Sequence, residues 1–195
     1  MPGQLTHADS RRFELLDRAA ACFRRSGFQA TSIRDLGREL GMTPGGIYAH
    51  FRSKEELLLE VYTRGVEEIL AYVQQALAEA GPSPANRLRA AMRAHAEYLL
   101  SGGDYAQVVI RVLPDEAPAS IRAPLTRMRD RYEALFVEII ARLPLQSGVD
   151  ATLFRLLVLG ALNSAQRWYR QGRRTPQDIA DCMFQMIAGS LRKTP

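Results

Sequence analysis

The chain has 195 residues, of which 47% are hydrophobic and 24% are charged, and its net charge of +5 corresponds to a pI near 9.6. This composition excludes a disordered or fibrous chain and fits one medium domain, or a small domain joined to a larger one. The basic balance favours a polyanionic partner without identifying one.

Two further observations narrow the class of protein. No run approaches the roughly 20 apolar residues of a membrane-spanning helix, and the first residues lack the layout of a secretory signal. The cysteines are Cys22 and Cys182, and neither they nor the three histidines have the spacing of metal ligands. We therefore expect a cytoplasmic protein with no membrane partner, no metal and no cofactor.

Helical periodicity begins near the N-terminus. A first helix is predicted from about residue 8 to residue 26. A short second helix starts after Thr31 or Ser32, either of which can cap it, and ends at Gly41. A very short third helix starts after Thr43, which also has the side chain of a cap.

The rest of the chain is also predicted to be helical, and no segment alternates like a strand. Ser53 and Glu56 have the spacing of a capping box that starts a long fourth helix reaching about residue 80. Glycine- and proline-rich breaks separate five further helices, near residues 84–101, 104–113, 118–142, 150–171 and 176–192. The fold class is all-α, with about nine helices.

The second and third helices have the spacing of a helix-turn-helix, whose second helix lies in the major groove of DNA. Gly45 and Gly46 lie inside the third helix, where each costs about 1 kcal/mol relative to alanine. Core packing does not explain that cost, whereas close approach of the backbone to a partner does. Three potential phosphate donors, Tyr48, His50 and Lys54, follow within seven residues.

Each of these three side chains also has a simpler interpretation. Tyr48 can be a core aromatic residue, and His50 and Lys54 can be solvated. Lys54, however, lies in the first turn of the fourth helix, where the helix macrodipole disfavours a cation, so we expect its ammonium to point outward at a phosphate. The combination in this spacing favours contact with DNA.

Residues 8–60 resemble the DNA-binding domain of the TetR family of bacterial transcriptional regulators. The resemblance is carried by the FxxxGFxATSI pattern from Phe23 to Ile33 and by the segment LGRELGMTPGGIYAHFRSKEELL. It implies a homodimer with one helix-turn-helix per subunit, which binds a palindromic operator and is usually a repressor released by a small ligand. It also implies a DNA-binding domain at 1–53 and a ligand-binding and dimerisation domain at 54–195.

The same resemblance assigns roles to individual residues. It implies phosphate contacts from Thr31, Tyr48, His50 and Lys54, and base-edge contacts from Thr43, Pro44, Gly45 and Gly46. Few of these side chains can form bidentate contacts with bases. We therefore expect specificity from DNA shape, backbone and methyl contacts, with Arg34 as an added base reader.

The last two predicted helices each carry an apolar stripe with small residues in it. The stripe on helix 150–171 comprises Leu153, Leu156, Leu157, Gly160, Ala161, Ser164, Ala165 and Trp168, and that on helix 176–192 comprises Ile179, Cys182, Met183, Met186, Ile187 and Ser190. Doubled by a twofold axis, such stripes form a four-helix dimer interface. Burial in the subunit's own core is the alternative; the resemblance favours the dimer.

A small-molecule effector is expected among the fifth to eighth helices. The candidate lining residues are Met92, His95, Tyr98, Leu99, Tyr105, Tyr132, Phe136 and Phe154. A plain hydrophobic core explains such a set as well, and His95 alone is more typical of a satisfied core histidine.

The segment GALNSAQRWYRQGRRTPQDIA, from Gly160 to Ala180, resembles a TetR subgroup related to cholesterol-catabolism and fatty-acid-degradation repressors, which are often released by acyl-CoA thioesters. By this resemblance Asn163, Trp168 and Arg170 contact the effector. Ser164 departs from the aromatic residue found in many members. The nearby arginines suit CoA phosphates and Trp168 can stack on adenine, although a solvated basic helix end has the same pattern.

Three other functions are alternatives to this interpretation. A multidrug-type sensor of lipophilic compounds that controls an efflux system is the nearest alternative, but the arginine-rich segment favours an anionic effector. An enzyme is not predicted, because no phosphate-binding glycine loop, metal cluster or activated nucleophile is recognisable. A sequence-blind DNA binder would need a larger basic surface than the chain supplies after residue 55.

Overall fold

The computed structural model describes residues 7–191, and within that range it contains nine α-helices and one short 3-10 helix. The helices are α1 (His7–Ser26), α2 (Ile33–Leu40), α3 (Pro44–Tyr48), α4 (Lys54–Glu79), α5 (Pro84–Ser101), α6 (Asp104–Arg111), α7 (Ala119–Ala141), α8 (Ala151–Trp168) and α9 (Pro176–Ala188). The 3-10 helix covers Pro114–Glu116. Strand pairing in the described range is confined to one isolated bridge, between Leu145 and Leu191. The predicted all-α fold is confirmed.

Local capping defines α2 and α3. The Ser32 hydroxyl accepts a hydrogen bond from the Asp35 N–H (3.2 Å), and the Asp35 carboxylate accepts one from the Ser32 N–H (3.1 Å). α2 ends at Gly41, whose φ of 62° is the left-handed conformation that glycine adopts without strain. The Thr43 hydroxyl accepts a hydrogen bond from the Gly46 N–H (3.2 Å) and starts α3. These are the two short helices of the predicted helix-turn-helix.

The start of α4 differs in detail from the prediction. The Ser53 hydroxyl accepts a hydrogen bond from the Glu56 N–H (3.1 Å), as expected of a cap. The Glu56 carboxylate accepts one from the N–H of Arg52 instead of Ser53. The predicted capping box is therefore only half formed, and Glu56 satisfies the residue before the cap.

Two C-terminal helices are shorter than predicted. α8 ends at Trp168 and not near residue 171, and residues 169–175 form the connection to α9. α9 ends at Ala188. The predicted end at residue 192 lies outside the described residues.

The chain forms two compact units. The first comprises residues 7–66 and 103–128. There the Tyr105 hydroxyl of α6 donates a hydrogen bond to Asp17 of α1 (2.7 Å). α6 also passes close to Gly65 of α4. A Cβ added to Gly65 would lie only 2.9 Å from the Tyr105 carbonyl oxygen.

The second unit comprises residues 67–102 and 129–191. In it α5 packs on α8 and α9, and the Arg89 guanidinium of α5 donates two hydrogen bonds of 2.8 Å to the Asp181 carboxylate of α9. The core is apolar and includes Leu88, Met92, Leu99, Phe136, Phe154, Val158 and Leu162. Among the described helices, none is long and apolar enough to span a bilayer.

These units are drawn differently from the predicted domains, whose boundary lies between residues 53 and 54. α4 and α7 each contribute to both units, and the first half of α4 is joined to α1 by the ion pair of Arg12 with Glu60. The functional division at the predicted boundary stays a prediction.

Candidate nucleic-acid interface and effector site

α3 is held to the first unit by one buried side chain, that of Ile47, which is fully buried. Thr43, Pro44 and Gly45 are exposed, and the Tyr48 side chain is 51% exposed. A capped helix of five residues with almost no outward bulk is thus presented to solvent. This geometry lets a partner approach the backbone of the helix.

The glycines of the helix-turn-helix serve different purposes. A Cβ added to Gly37 would lie 2.6 Å from the Met42 carbonyl oxygen, so the turn between α2 and α3 requires glycine there. At Gly45 the nearest atom would be the Thr43 Oγ1, 3.9 Å away, which leaves ample room. The fold therefore does not require glycine at position 45, and an external surface is the physical reason that remains.

An open groove of about 830 Å³ lies beside α3 in the first unit. Its lining includes seven residues with polar or charged side chains, namely Ser32, Arg34, Tyr48, Arg52, Ser53, Lys54 and Glu55, and Glu55 among them is acidic. Within the described range, no carboxylate forms an ion pair with Arg34 or Arg52. The groove has the hydroxyl and cationic donors that phosphates require.

The structure corrects the expected orientation of Lys54. Its ammonium donates hydrogen bonds of 3.0 Å to the carbonyl oxygens of Phe28 and Thr31, and it lies 4.2 Å from the centre of the Phe28 ring. An ammonium has three protons, so one remains for the groove. Lys54 thus fastens the connection between α1 and α2 in addition to bordering the groove.

Thr31 is also oriented differently from the expectation. It is 3% exposed, and its hydroxyl donates a hydrogen bond to the Gly27 carbonyl oxygen (2.8 Å). The side chain is turned inward because this bond caps the end of α1. Ser32, which is exposed, is the residue at the head of α2. The acidic residue three positions after Ser32 is the sequence signal that distinguishes the two candidates.

His50 is partly exposed at the end of the helix-turn-helix. Its carbonyl oxygen accepts a hydrogen bond from the Arg12 guanidinium (2.6 Å), which lies 4.2 Å from the centre of the Phe51 ring and pairs with Glu60. Arg12 therefore joins α1, α4 and the end of the helix-turn-helix. No local spacing in the sequence links residues 12, 50 and 60, so this role of Arg12 depends on the packing of the helices.

In the second unit, three predicted effector residues form a hydrogen-bonded chain. The two ring nitrogens of His95 on α5 are both engaged, Nδ1 with the Tyr132 hydroxyl (2.5 Å) and Nε2 with the Asn163 Oδ1 (3.0 Å). Burial lowers the pKa of His95 to about 4, although the hydrogen bond to Asn163 opposes the shift. His95 is therefore neutral near pH 7.

The other predicted effector residues are placed as follows. Met92, Leu99, Phe136 and Phe154 are buried in the second unit. The Tyr98 hydroxyl donates a hydrogen bond to Glu68 (3.0 Å). Tyr105 belongs to the first unit, where it bonds Asp17.

The end of α8 and the connection after it are basic and exposed. Arg167, Arg170 and Arg173 are exposed, the Trp168 side chain is 52% exposed, and within the described range no ion pair involves these arginines. The Arg170 guanidinium donates a hydrogen bond to the Tyr169 carbonyl oxygen (2.8 Å). These arginines retain free donors for an anion.

α8 also has an exposed apolar face. Leu153, Leu156 and Leu157 are 67%, 51% and 59% exposed. Met186 of α9 is 81% exposed. Such a face in a single chain indicates a surface that a partner covers.

The predicted stripes need one correction. Ala165 of α8 and Ile179 of α9 are buried in their own subunit and belong to its core. The members of the predicted α8 stripe that are exposed are Leu153, Leu156, Leu157, Gly160, Ser164 and Trp168.

Within the described residues, no group of three or more His, Cys, Asp and Glu side chains is arranged to hold a metal ion. Cys22 is buried and donates a hydrogen bond to Glu39 (3.0 Å), and burial raises the pKa of its thiol to about 11. It is an inert residue of the first unit.

The capped, nearly bare α3 carried on α2, followed by a helical unit with an exposed apolar face, defines a helix-turn-helix regulatory protein. A family model described as "Bacterial regulatory proteins, tetR family" matches residues 15–61, and one described as "Tetracyclin repressor-like, C-terminal domain" matches residues 81–191. The chain therefore belongs to the TetR family and is a DNA-binding transcriptional regulator.

Similar proteins span nearly the whole chain. The transcriptional repressor KstR2 of Mycobacterium tuberculosis is 29% identical over 95% of this chain and 94% of its own. The transcriptional activator FasR of Mycolicibacterium smegmatis is 27% identical over 96% of this chain and 85% of its own. A solved complex of AibR with isovaleryl coenzyme A and operator DNA superimposes with a TM-score of 0.80, at 26% identity, over 90% of this chain and 97% of that one.

Proposed function

We propose that this protein is a homodimeric repressor that leaves a palindromic operator when it binds an acyl-CoA. The observation that carries the effector class is the end of α8 with the connection after it, where three exposed arginines without an ion-pair partner in the described range flank an exposed tryptophan. Guanidinium groups match phosphate geometry, and an indole ring offers a face to adenine. In this proposal the acyl chain displaces packed apolar side chains of the second unit, because Met92, Leu99, Phe136 and Phe154 are buried.

The DNA contacts are proposed from the geometry of the first unit. Thr43, Pro44, Gly45 and Gly46 approach base edges, because the fold leaves their outward side bare. Phosphates are held from the groove and its rim by Ser32, Tyr48, His50 and Lys54, with Arg34 reading a base or a phosphate. In this proposal residues 1–53 read DNA, and residues 54–195 bind the effector and dimerise.

Relatives support the two halves of this proposal separately. AibR has been solved with isovaleryl coenzyme A and operator DNA together, which shows one protein of this fold holding both ligands. KstR2 is a repressor and FasR is an activator. The direction of regulation thus varies among relatives, and the repressor assignment rests on the larger similarity to KstR2.

A gel-shift experiment tests the effector class. Wild-type protein is bound to the duplex upstream of its own coding region and titrated with acyl-CoAs of increasing chain length, with the matching free acids and with free CoA. We expect release by thioesters alone. Release by lipophilic cations and not by thioesters would replace this proposal with the multidrug-sensor alternative.

Replacing one arginine tests where the anion binds. We expect Arg170→Ala to weaken acyl-CoA binding roughly tenfold while operator affinity without effector is unchanged, since a charge-assisted hydrogen bond is lost. Arg131→Ala removes an exposed arginine of α7 in the same unit and serves as the matched control. Loss of operator affinity without loss of acyl-CoA affinity would make Arg170 structural.

A further inference from the structure

The chain formed by Tyr132, His95 and Asn163 has a defined hydrogen-bond direction. Asn163 faces His95 with its amide oxygen, which can only accept, so Nε2 of the ring carries the proton. A neutral imidazole then has an acceptor at Nδ1, and the Tyr132 hydroxyl donates to it. The burial of the ring, which keeps it neutral, agrees with this assignment.

This direction fixes the orientation of the Asn163 side chain. Its oxygen is bound by His95, so its NH2 group points away from the core. Within the described residues the NH2 group has no acceptor, and Asn163 is exposed. It lies one helical turn from Gly160, where an added Cβ would meet no atom within 4 Å, and one turn from Arg167, so within the described residues of one subunit nothing covers this donor.

The hydrogen-bonded residues Tyr132, His95 and Asn163 lie among apolar side chains. The His95 and Tyr132 rings pack on each other with centres 5.7 Å apart, and both contact Phe136 edge to face. Three apolar side chains would join α5, α7 and α8 without any need to satisfy buried polar groups. The polar chain does what an apolar set cannot, which is to hold one amide in one orientation at the edge of the core.

We propose that the Asn163 NH2 group donates a hydrogen bond to the thioester carbonyl of the effector, and that His95 is the positioning residue that turns this donor outward. The inference rests on the acyl-CoA function proposed above. It adds that the protein recognises the carbonyl group itself, in addition to the CoA phosphates and the acyl chain. A ligand with the same chain and the same CoA but no carbonyl should therefore bind more weakly.

Calorimetry on the full-length protein tests this with matched ligand pairs. Isovaleryl-CoA and octanoyl-CoA are each compared with the S-alkyl thioether of CoA that has the same carbon chain and no carbonyl. We expect wild-type protein to prefer the thioester of at least one pair by roughly tenfold, the size of one well-made hydrogen bond. Asn163→Ala should bind both members of that pair equally, with thioether affinity close to that of wild type.

Two further variants separate recognition from structure. Asn163→Asp keeps an acceptor for the His95 N–H and loses the NH2 donors, so it should also lose the preference for the thioester. His95→Phe leaves Asn163 in place but unanchored, so it should show a smaller preference than wild type. Operator binding without CoA compounds is measured for every variant as evidence of an intact fold.

The outcomes distinguish the two proposals. If wild-type protein binds no CoA compound, the acyl-CoA function fails and the inference falls with it. If wild-type protein binds the pairs without discriminating, or if the Asn163 variants keep the discrimination or lose affinity for both members equally, Asn163 does not contact the carbonyl. In that case the acyl-CoA function stands and only the inference is overturned.

Discussion

Gly45 and Gly37 lie in the same helix-turn-helix, yet substitution should affect them in opposite ways. At Gly45 an added methyl group meets no close neighbour, so Gly45→Ala should raise the free energy of unfolding by about 0.5–1 kcal/mol through higher helix propensity. The same methyl group should obstruct DNA and lower operator affinity by roughly tenfold or more. Urea denaturation and operator titration measure the two effects.

Gly37→Ala is the matched control, because its methyl group would collide with the Met42 carbonyl oxygen at 2.6 Å. This variant should be destabilised, and its operator affinity should fall only as far as the fold is lost. A Gly45→Ala protein that binds its operator as well as wild type does would show that α3 does not approach DNA closely.

Lys54 makes contacts that local sequence rules did not reveal. Lys54→Met should lower the free energy of unfolding by about 1–3 kcal/mol, because two carbonyl oxygens lose a charged donor and the Phe28 ring loses its cation. Urea denaturation measures it against Arg52→Met, which removes an exposed cation from the same groove. Equal stability of the two variants would show that the contacts of Lys54 within the fold do not stabilise the protein.

The roles of residues in the helix-turn-helix were predictable from the sequence where they depend on neighbouring residues. Capping rules place Thr43 at the start of α3, and the presence of two glycines identifies the outward face. Thr31 and Lys54 were oriented wrongly, because the inward direction of each side chain depends on a carbonyl oxygen more than three residues away. A single sequence contains no signal for such a partner.

At the scale of elements, the end of α8 shows what periodicity misses. The predicted helix continues to about residue 171, because no glycine or proline interrupts it before Gly172. The structure turns at Tyr169, whose ψ of 134° is extended, and the Tyr169 hydroxyl then donates to the Arg174 carbonyl oxygen (3.5 Å). This hydrogen bond joins the two ends of the connection, and Arg170 lies outside the helix.

The exposed face of α8 carries the prediction about assembly. Leu157→Glu should shift the protein towards monomers by at least tenfold in dissociation constant, because twofold symmetry would bury two carboxylates in an apolar interface. Operator affinity should fall with it. Sedimentation equilibrium measures the shift.

Val137→Glu provides the control for this experiment. Val137 of α7 is 52% exposed and lies on another helix, so a carboxylate there should leave the dimer intact. If Leu157→Glu remains as dimeric as Val137→Glu, the α8 face is not the interface.

At the scale of the whole molecule, the buried His95 links stability to pH. Its pKa in the folded protein is about 4, against an ordinary value of 6.5, so the unfolded chain binds the proton first as the pH falls. Stability should therefore be highest above pH 6.5 and fall by about 3 kcal/mol per subunit between pH 6.5 and pH 4. Denaturation at fixed protein concentration across this range measures the slope.

His95→Gln should remove this part of the pH dependence. Tyr132→Phe should lower stability but leave this pH dependence in place. Tyr132 does not titrate in this window, because burial raises its pKa well above the ordinary value. An unchanged slope in His95→Gln would assign the pH dependence to other groups.

The fold class and the order of the helices followed from periodicity and breaks, because those signals are local. The site followed less completely. Tyr105 was grouped with the effector residues on its aromatic character, but α6 places it in the first unit against Asp17. The pairing of His95 with Tyr132 and Asn163 spans 37 and 68 residues, and such pairings become visible only when the helices are packed.

The attachment of α3 through Ile47 alone has a consequence for how such regulators diversify. The outward positions of α3 contribute little to folding, so they can be exchanged for other side chains while the scaffold stays intact. A duplicated copy of the gene can therefore acquire a new target site through a few substitutions at positions 44, 45 and 48. Retargeting of this regulator by grafting should succeed for the same reason, provided that Ile47 and the Thr43 cap are kept.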